Sequence, residues 1–355
     1  MSIGCGSQIE LCDCPVRFDT YVGCSHGCRY CFVQRKTDIS KIKADDCVKQ
    51  LREFIAGARC VETKWCDWDI PLHWGGMSDP FQPLERRARV SYKALQVFAE
   101  TGYPFIVSTK GKLIAEDEYL SLIRKCNCAV QISMVCSRYD VLEKGAPSYE
   151  ERLEMCRKLS PVAKRLIVRL QPYMVEIHKD VMETIPRLKD AGVFGVTIEG
   201  MKFIKKKDGL VRVGGDFVYP KEQLERRYRE IKDRCHELGL AFYCAENRLR
   251  QMGDAMCCCG VEGLEGFKPN KNNLIHLFCG DKIEFSEKQK EIGSAGVYGG
   301  VYQRAGYWKL VNERSYADMT LYTLRAREKH LQEIFGKSIR PASKEAGKQN
   351  AETEV

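Results

Sequence analysis

Short apolar, β-rich runs alternate along this chain with longer segments whose apolar residues recur every three or four positions. The runs cover 18–23 (FDTYVG), 69–75 (DIPLHWG), 104–109 (PFIVST), 129–135 (AVQISMV), 165–172 (RLIVRLQP) and 192–199 (GVFGVTIE), with 240–246 (LAFYCAE) as a further candidate. The amphipathic segments cover 44–57, 87–102, 116–126, 148–160 and 180–192. Several begin near Ser, Asp or Pro or stop at Gly, as helices do. Alternation repeated this often predicts a parallel sheet with helical crossovers, open or closed into a barrel. In a parallel barrel, chemistry sits on the loops after the strand C-termini. Those positions are polar here: Ser78 and Asp79 after the second run, Ser108, Thr109 and Lys110 closing the third, Ser133 in the fourth, Arg169 and Gln171 in the fifth, Thr197 and Glu199 in the sixth.

The loop after the first run holds Cys24, Cys28 and Cys31, spaced C-x3-C-x2-C. Structural zinc takes four ligands, usually as two separated pairs. His26 is the available fourth donor, but it stands two residues from both Cys24 and Cys28, which makes a poor tetrahedral loop. An iron–sulfur cluster normally takes four thiolates. With three, one iron is left open to a small molecule, the starting point of radical chemistry with S-adenosylmethionine (SAM).

The chain has 19 cysteines in 355 residues. The odd count, the length and a start without a basic region or an apolar run argue against a disulfide framework. No apolar run nears the roughly 18 residues of a membrane span, so the expected setting is the cytoplasm, where thiols stay reduced. Cys47, Cys60, Cys126, Cys128, Cys136, Cys156 and Cys235 read as small core hydrophobes. The net charge of +9 fits an acidic or phosphate-bearing partner. Part of the excess lies in 202–212 (KFIKKKDGLVR), which is either a phosphate-backbone contact or plain surface, and part in 226–234, a solvated helix face.

The stretch Cys24-Ser25-His26-Gly27-Cys28-Arg29-Tyr30-Cys31, placed after the first strand and with an aromatic before its last cysteine, resembles the radical SAM superfamily signature. Together with GGMSDPFQPLERR (75–87) and VSTKGKLIAEDEYL (107–120), it resembles more narrowly the spore photoproduct lyase-like, or DNA repair photolyase-like, group over residues 15–200. The resemblance implies an α/β fold, a partial (β/α)6 TIM-like barrel with a Cys-rich C-terminal extension. It implies that Cys24, Cys28 and Cys31 hold three irons of a 4Fe-4S cluster whose fourth iron takes the amino nitrogen and carboxylate of SAM. Tyr30 would lie near the adenine, Gly75 and Gly76 by the methionyl amine, and Lys110 on the methionyl carboxylate. Ser78 and Ser133 are further cofactor contacts, and Arg169 and Glu199 the candidate catalytic residues. Each has a plainer reading: Tyr30 as core packing, Lys110 as a turn residue, Glu199 as an ion-pair partner of Arg169. The implied reaction is reductive cleavage of SAM to a 5′-deoxyadenosyl radical that abstracts a substrate hydrogen, fed by a flavodoxin- or ferredoxin-type reductant protein. The spore enzyme carries a cysteine just before its Ser-Asp pair to return that hydrogen. Here the residue is Met77, and Cys66 lies on the wrong side of the predicted strand, so photoproduct reversal is not expected.

Cys244, Cys257, Cys258, Cys259 and Cys279 form a second group, read as ligands of an auxiliary 4Fe-4S cluster. A zinc site of Cys244 and the triplet, or inert thiols, are the alternatives. Cys5, Cys12 and Cys14 form a looser set, either a cap on the barrel mouth or a reduced arm. Residues 293–310, with Tyr298, Tyr302, Tyr307 and Trp308 among glycines, read as a base-stacking surface or a lid. The expected organisation is an arm (1–17), a radical SAM partial barrel (18–245), a C-terminal extension (246–335) and a disordered tail (336–355). The expected function is a radical SAM enzyme of lyase, isomerase or modifying type. Its expected substrate is a nucleic-acid base or nucleotide-like group, in repair or modification. The alternative is a non-catalytic iron–sulfur or zinc protein that binds nucleic acid.

Overall fold

The computed structural model describes residues 3–5, 11–278 except 36, 61 and 214, 284–291, and the single positions 315, 318 and 332. Cys279, the aromatic segment 293–310, and the tail expected over 336–355 lie outside the described residues. So does the helix expected over 316–336, apart from those single positions.

The chain runs β1 (Ile3–Cys5), β2 (Val16–Phe18), β3 (Tyr21–Val22), β4 (Lys43–Ala44), α1 (Val48–Ile55), β5 (Leu72–Trp74), α2 (Glu85–Ala88), α3 (Val90–Thr101), β6 (Phe105–Thr109), α4 (Asp117–Ile123), β7 (Cys128–Ser133), α5 (Tyr149–Leu159), β8 (Arg165–Tyr173), α6 (His178–Asp190), β9 (Gly195–Gly200), β10 (Val211–Val213), β11 (Asp216–Val218), α7 (Lys221–Glu237) and β12 (Ala241–Cys244). Eight strands form one sheet in the order β1-β2-β5-β6-β7-β8-β9-β12. From β2 to β12 all neighbours are parallel, and β1 is added antiparallel to β2. This is the partial TIM-like barrel, with the 240–246 run supplying one more parallel strand. Its two edges, β1 and β12, do not pair.

Alternation along each strand sorts the residues. Phe105, Val107 and Val130 face the helices, while Ile106 and Ala129 face a separate interior cluster. On the helix side, Trp74 is fully buried among Phe18, Phe81, Phe98 and Phe105. Cys47, Cys126, Cys128, Cys136, Cys156 and Cys235 fill gaps in this core. The start of α5 is set by a capping box: the Ser148 side chain accepts from Glu151 N, and Glu151 accepts from Ser148 N. The polar face of α7 carries the pairs Arg229–Glu225, Arg227–Glu230 and Arg234–Glu237.

The first run enters the sheet earlier than its sequence suggests. Val16–Phe18 pairs with β5, whereas Tyr21–Val22 leaves to pair with Lys43–Ala44. The break lies at Asp19, whose Oδ1 accepts from the Met77 and Ser78 amides at 2.9 and 3.2 Å. No helix among the described residues is long and apolar enough to cross a membrane.

Candidate functional site

The thiol loop sits over the C-terminal ends of the central strands, clamped by the loops after β5, β6 and β7. Gln82 Nε2 donates to Gly23 O (3.1 Å), and its Oε1 accepts from Ser25 N (3.0 Å). Buried His26 lies with Nε2 3.1 Å from Asp79 Oδ2 and Nδ1 3.0 Å from Gly145 O. Asp79 also accepts from Phe81 N (2.9 Å), Thr109 Oγ1 (2.7 Å) and Lys110 N (2.7 Å). Burial works against the Asp79 charge, yet His26 and these donors hold the carboxyl down at about 2. That charge outweighs burial at His26 and raises it. His26 is thereby committed to Asp79 and Gly145.

Residues 137–148 close over the same loop. Leu142 O accepts from Arg29 N (2.9 Å), and Gly145 N donates to His26 O (3.1 Å). A Cβ on Gly145 would stand 2.3 Å from Ser25 O, so only glycine permits this approach. Burial, helped by the Asp79 charge, pushes Cys24 up to about 12. It also raises Cys28 against the pull of Lys110. Thiols in such surroundings ionise against a bound cation, as metal ligands do.

Buried Glu143 gathers two of the sequence-predicted residues. The Tyr30 hydroxyl donates to it, Lys110 Nζ lies 3.8 Å from its Oε1, and Arg152 Nη2 lies 2.6 Å from its Oε2. Lys110 Nζ is 5.8 Å from the centre of the Tyr30 ring. Gly75 has φ +89°, and a Cβ there would lie 2.3 Å from Ser108 O, whereas Gly76 opens onto space with Arg17 Cβ nearest at 3.9 Å. Beside them, Ser78 Oγ and Asp19 Oδ2 are buried without a hydrogen-bond partner, and burial raises Asp19 to about 6. Ser133 contributes its carbonyl, which accepts from Arg152 Nη1 (2.8 Å). Cys66 lies before β5, its thiol donating to Trp68 O (3.2 Å).

A polar chain crosses the barrel interior beneath the loop. His73 Nε2 lies 2.9 Å from Ser108 Oγ, which donates to Gln131 Oε1 (2.8 Å), and Arg169 Nη1 donates to the same oxygen (2.8 Å). Arg169 then donates to Gln171, Gln171 to Glu199, and Lys202 to Glu199. Arg169 and Glu199 are therefore joined through Gln171. Burial and the Arg169 charge hold His73 at about 3, so it is neutral.

Gln131 Nε2 donates to Cys259 O (2.9 Å) and so reaches the second thiol group. The Sγ atoms of Cys14, Cys257 and Cys259 lie within 4.8 Å of one another, all buried. Cys258 and Cys12 lie close enough to this triad for the charge of one to act on the other. Cys244 stands outside this triad with its thiol toward Glu246 O (3.7 Å), and Cys5 packs elsewhere, donating to Glu62 O (2.8 Å). Sequence reading left Cys12 and Cys14 apart from the C-terminal thiols. The only available signal was the C-x-C spacing that both stretches share. Asp19, Gln131 and Arg152 were also missed, lying within runs read as strand or helix, as was Glu143 in the unassigned stretch between 135 and 148.

A family model described as the radical SAM superfamily matches residues 19–170. Curated relatives include uncharacterized proteins of Mycobacterium tuberculosis and Mycobacterium bovis, each 26% identical over 237 residues, or 61% of this chain and 67% of theirs. Among solved structures, a spore photoproduct lyase mutant with bound AdoMet and dinucleoside spore photoproduct is similar at a TM-score of 0.52 and 17% identity, covering 68% of this chain and 80% of that one. Spore photoproduct lyase complexed with dinucleoside spore photoproduct gives a TM-score of 0.50 at 19% identity, with 63% and 75% covered. At these identities the likeness is one of fold. The match to the radical SAM superfamily thus lies in residues 19–170, which take in the thiol loop and most of the strands beneath it.

Proposed function

We propose that this radical SAM enzyme holds its 4Fe-4S cluster on Cys24, Cys28 and Cys31 and acts on a nucleic-acid base or a nucleotide-like group. The donor set suits a cluster with one open corner: three thiols on a clamped loop, His26 turned away, and beside them an open glycine face and an unpartnered buried hydroxyl at Ser78. Bound there, cluster and SAM together supply one-electron chemistry that ends in hydrogen abstraction from carbon. The chain's own residues bind and orient. Lys110, 3.8 Å from its Glu143 partner, is placed to take a carboxylate, and Tyr30 offers its ring beside it. Gly76 leaves room for an amine, and Ser78 and Ser133 offer polar contacts. Arg169 and Glu199 present a fixed charge pattern toward the substrate, held by Gln131 and Gln171. A reductant protein of flavodoxin or ferredoxin type supplies the electron.

The observation that carries the substrate class is the run of exposed lysines leading into a hairpin at the same mouth. The β10–β11 hairpin is tied to the thiol loop by Arg35, four residues past Cys31. Its Nη1 lies 2.8 Å from Asp216 Oδ1, and its Nη2 donates to Lys202 O (3.2 Å). Lys205, Lys206 and Lys207 stand exposed just beyond, where a phosphate backbone would meet them.

The test is anaerobic reconstitution with iron and sulfide, followed by dithionite and SAM. Wild type is expected to release 5′-deoxyadenosine, and Cys24→Ala, Cys28→Ala and Cys31→Ala each to release none. Turnover surviving in any single variant would remove the cluster assignment. The alternative of a non-catalytic nucleic-acid-binding protein predicts no deoxyadenosine from wild type either.

A further inference from the structure

We infer that Cys14, Cys257 and Cys259, with Cys12 or Cys258 as fourth ligand, hold a single tetrahedral thiolate-bound metal ion of the zinc class that closes the open side of the barrel. This site is independent of the radical chemistry and uses a different ligand set from that expected for an auxiliary cluster.

The first support is spacing. Zinc–sulfur bonds of about 2.3 Å put tetrahedral thiolates about 3.8 Å apart, and the three Sγ atoms lie within 4.8 Å of one another. A cubane cluster takes its thiolates on separate iron corners and spreads them further. Buried thiols gathered this tightly, on residues far apart in the sequence, are the donor set of a four-coordinate soft ion.

The second support is position. Residues 260–268 run beneath the N-terminal ends of the strands. Arg165 Nη1 donates to Gly260 O (2.8 Å) and Glu262 O (2.7 Å), Asn127 Nδ2 to Glu265 O (3.2 Å), and Trp68 Nε1 to Lys268 O (2.8 Å). The thiols pack there with Ile106, Ala129, Val261 and Phe267. This is the end away from the Cys24 loop, and in parallel barrels it is the end that serves stability. The site also joins segments from the two ends of the strand order. Cys14 stands two residues before β2, the strand next to the β1 edge. After β12 the chain turns back, Asp254 N donating to Phe242 O (2.8 Å), and delivers Cys257. Asp13 reinforces the junction: its carbonyl accepts from Asn270 N (2.6 Å), and its Oδ1 lies 2.9 Å from His276 Nε2.

The third support is charge. Arg250 is 5% exposed, and its Nε has no hydrogen-bond partner. Its Nη2 donates to Asn247 Oδ1 (2.9 Å). Among the described residues no carboxylate lies within ion-pair distance of it, while Cys258, Asp13, Cys244 and Cys12 are close enough for their charges to act on it, so that three of the four are thiols. Guanidinium stays charged in proteins, and a buried charge requires a counter-charge. Four thiolates around a divalent ion leave two negative charges, which supply one.

The experiment is metal and sulfide analysis of the full-length chain and of its Cys24/Cys28/Cys31→Ala variant, both grown with zinc and iron. About one zinc per chain is expected in both, since the site needs none of the first three thiols. Cys14→Ser and Cys259→Ser should lower zinc affinity by at least the roughly hundredfold that loss of an outer-shell partner can cost, and one of Cys12→Ser and Cys258→Ser should do the same. Cys14→Ser should still form 5′-deoxyadenosine after reconstitution, but melt at a lower temperature. If these variants fail to fold, cobalt(II) exchanged into the Cys24/Cys28/Cys31→Ala chain should show the visible absorption of tetrahedral thiolate ligation. Iron and sulfide in place of zinc in the Cys24/Cys28/Cys31→Ala variant would overturn the single ion in favour of a second cluster. A chain with neither metal there, or cobalt without thiolate absorption, would overturn the site itself.

Discussion

Asp19 is a carboxyl turned into the barrel mouth beside Gly76 and Ser78. Two backbone amides reach its Oδ1, but burial dominates and its value rises from 3.8 to about 6. A carboxyl raised on folding is neutral in both states at low pH, and it destabilises the fold as pH climbs from 3.8 through about 6. Asn keeps the acceptor and carries no charge. Asp19→Asn should therefore gain on wild type across that interval and hold a constant advantage above it. The gain is up to about 3 kcal/mol, from roughly two units at 1.36 kcal/mol each. Urea unfolding of the two chains across a pH series measures this, and an advantage that does not change with pH would refute it. Perturbed carboxyls in clefts are also functional candidates. Sequence reading marked Ser78, Lys110, Ser133, Arg169 and Glu199 as polar ends of apolar runs, which is a local signal. Asp19 gave no such signal, because it lies inside a run whose turn is made by amides of a distant loop.

At the scale of elements, the segment 137–148 matters more than its composition suggests. It fastens the thiol loop through backbone groups of Leu142 and Gly145 and through the Glu143 carboxylate. Gly145→Ala drives a methyl to 2.3 Å from Ser25 O, and backbone against backbone gives way poorly. The expected cost is about 1–3 kcal/mol of stability, together with iron incorporation well below that of wild type after reconstitution. Unfolding curves and iron content that match wild type would show that the two segments part freely. Strands and helices themselves were legible: the runs at 104–109, 129–135 and 165–172 became β6, β7 and β8 with ends shifted by a residue or two. The clasp between loops was not, because carbonyl and amide partners leave no mark on residue type. The same limit hid the meeting of Cys14 with Cys257 and Cys259, which depends on how the segment before β2 and the turn after β12 meet.

For the whole molecule, the excess positive charge gains meaning from where it is exposed. Lys205, Lys206 and Lys207 stand out on the connection between β9 and β10, and each phosphate contact adds about one to the salt slope of binding. Changing all three to Ala should lower the slope for a thymidine oligonucleotide by about 3, with little change in SAM cleavage without substrate. A slope equal to that of wild type would place the polymer elsewhere or remove it from the account. The floor of the barrel also bears on the substrate. Residues 260–268 cross beneath the strands, and Gln131 and Arg169 fill the interior above them. Among the described residues the interior is floored on this side. A linear polymer bound as proposed would lie across the rim, dipping in one unit at a time. A base in a duplex would have to be swung out of its stack to reach the thiol loop, which favours substrates whose stacking is already broken.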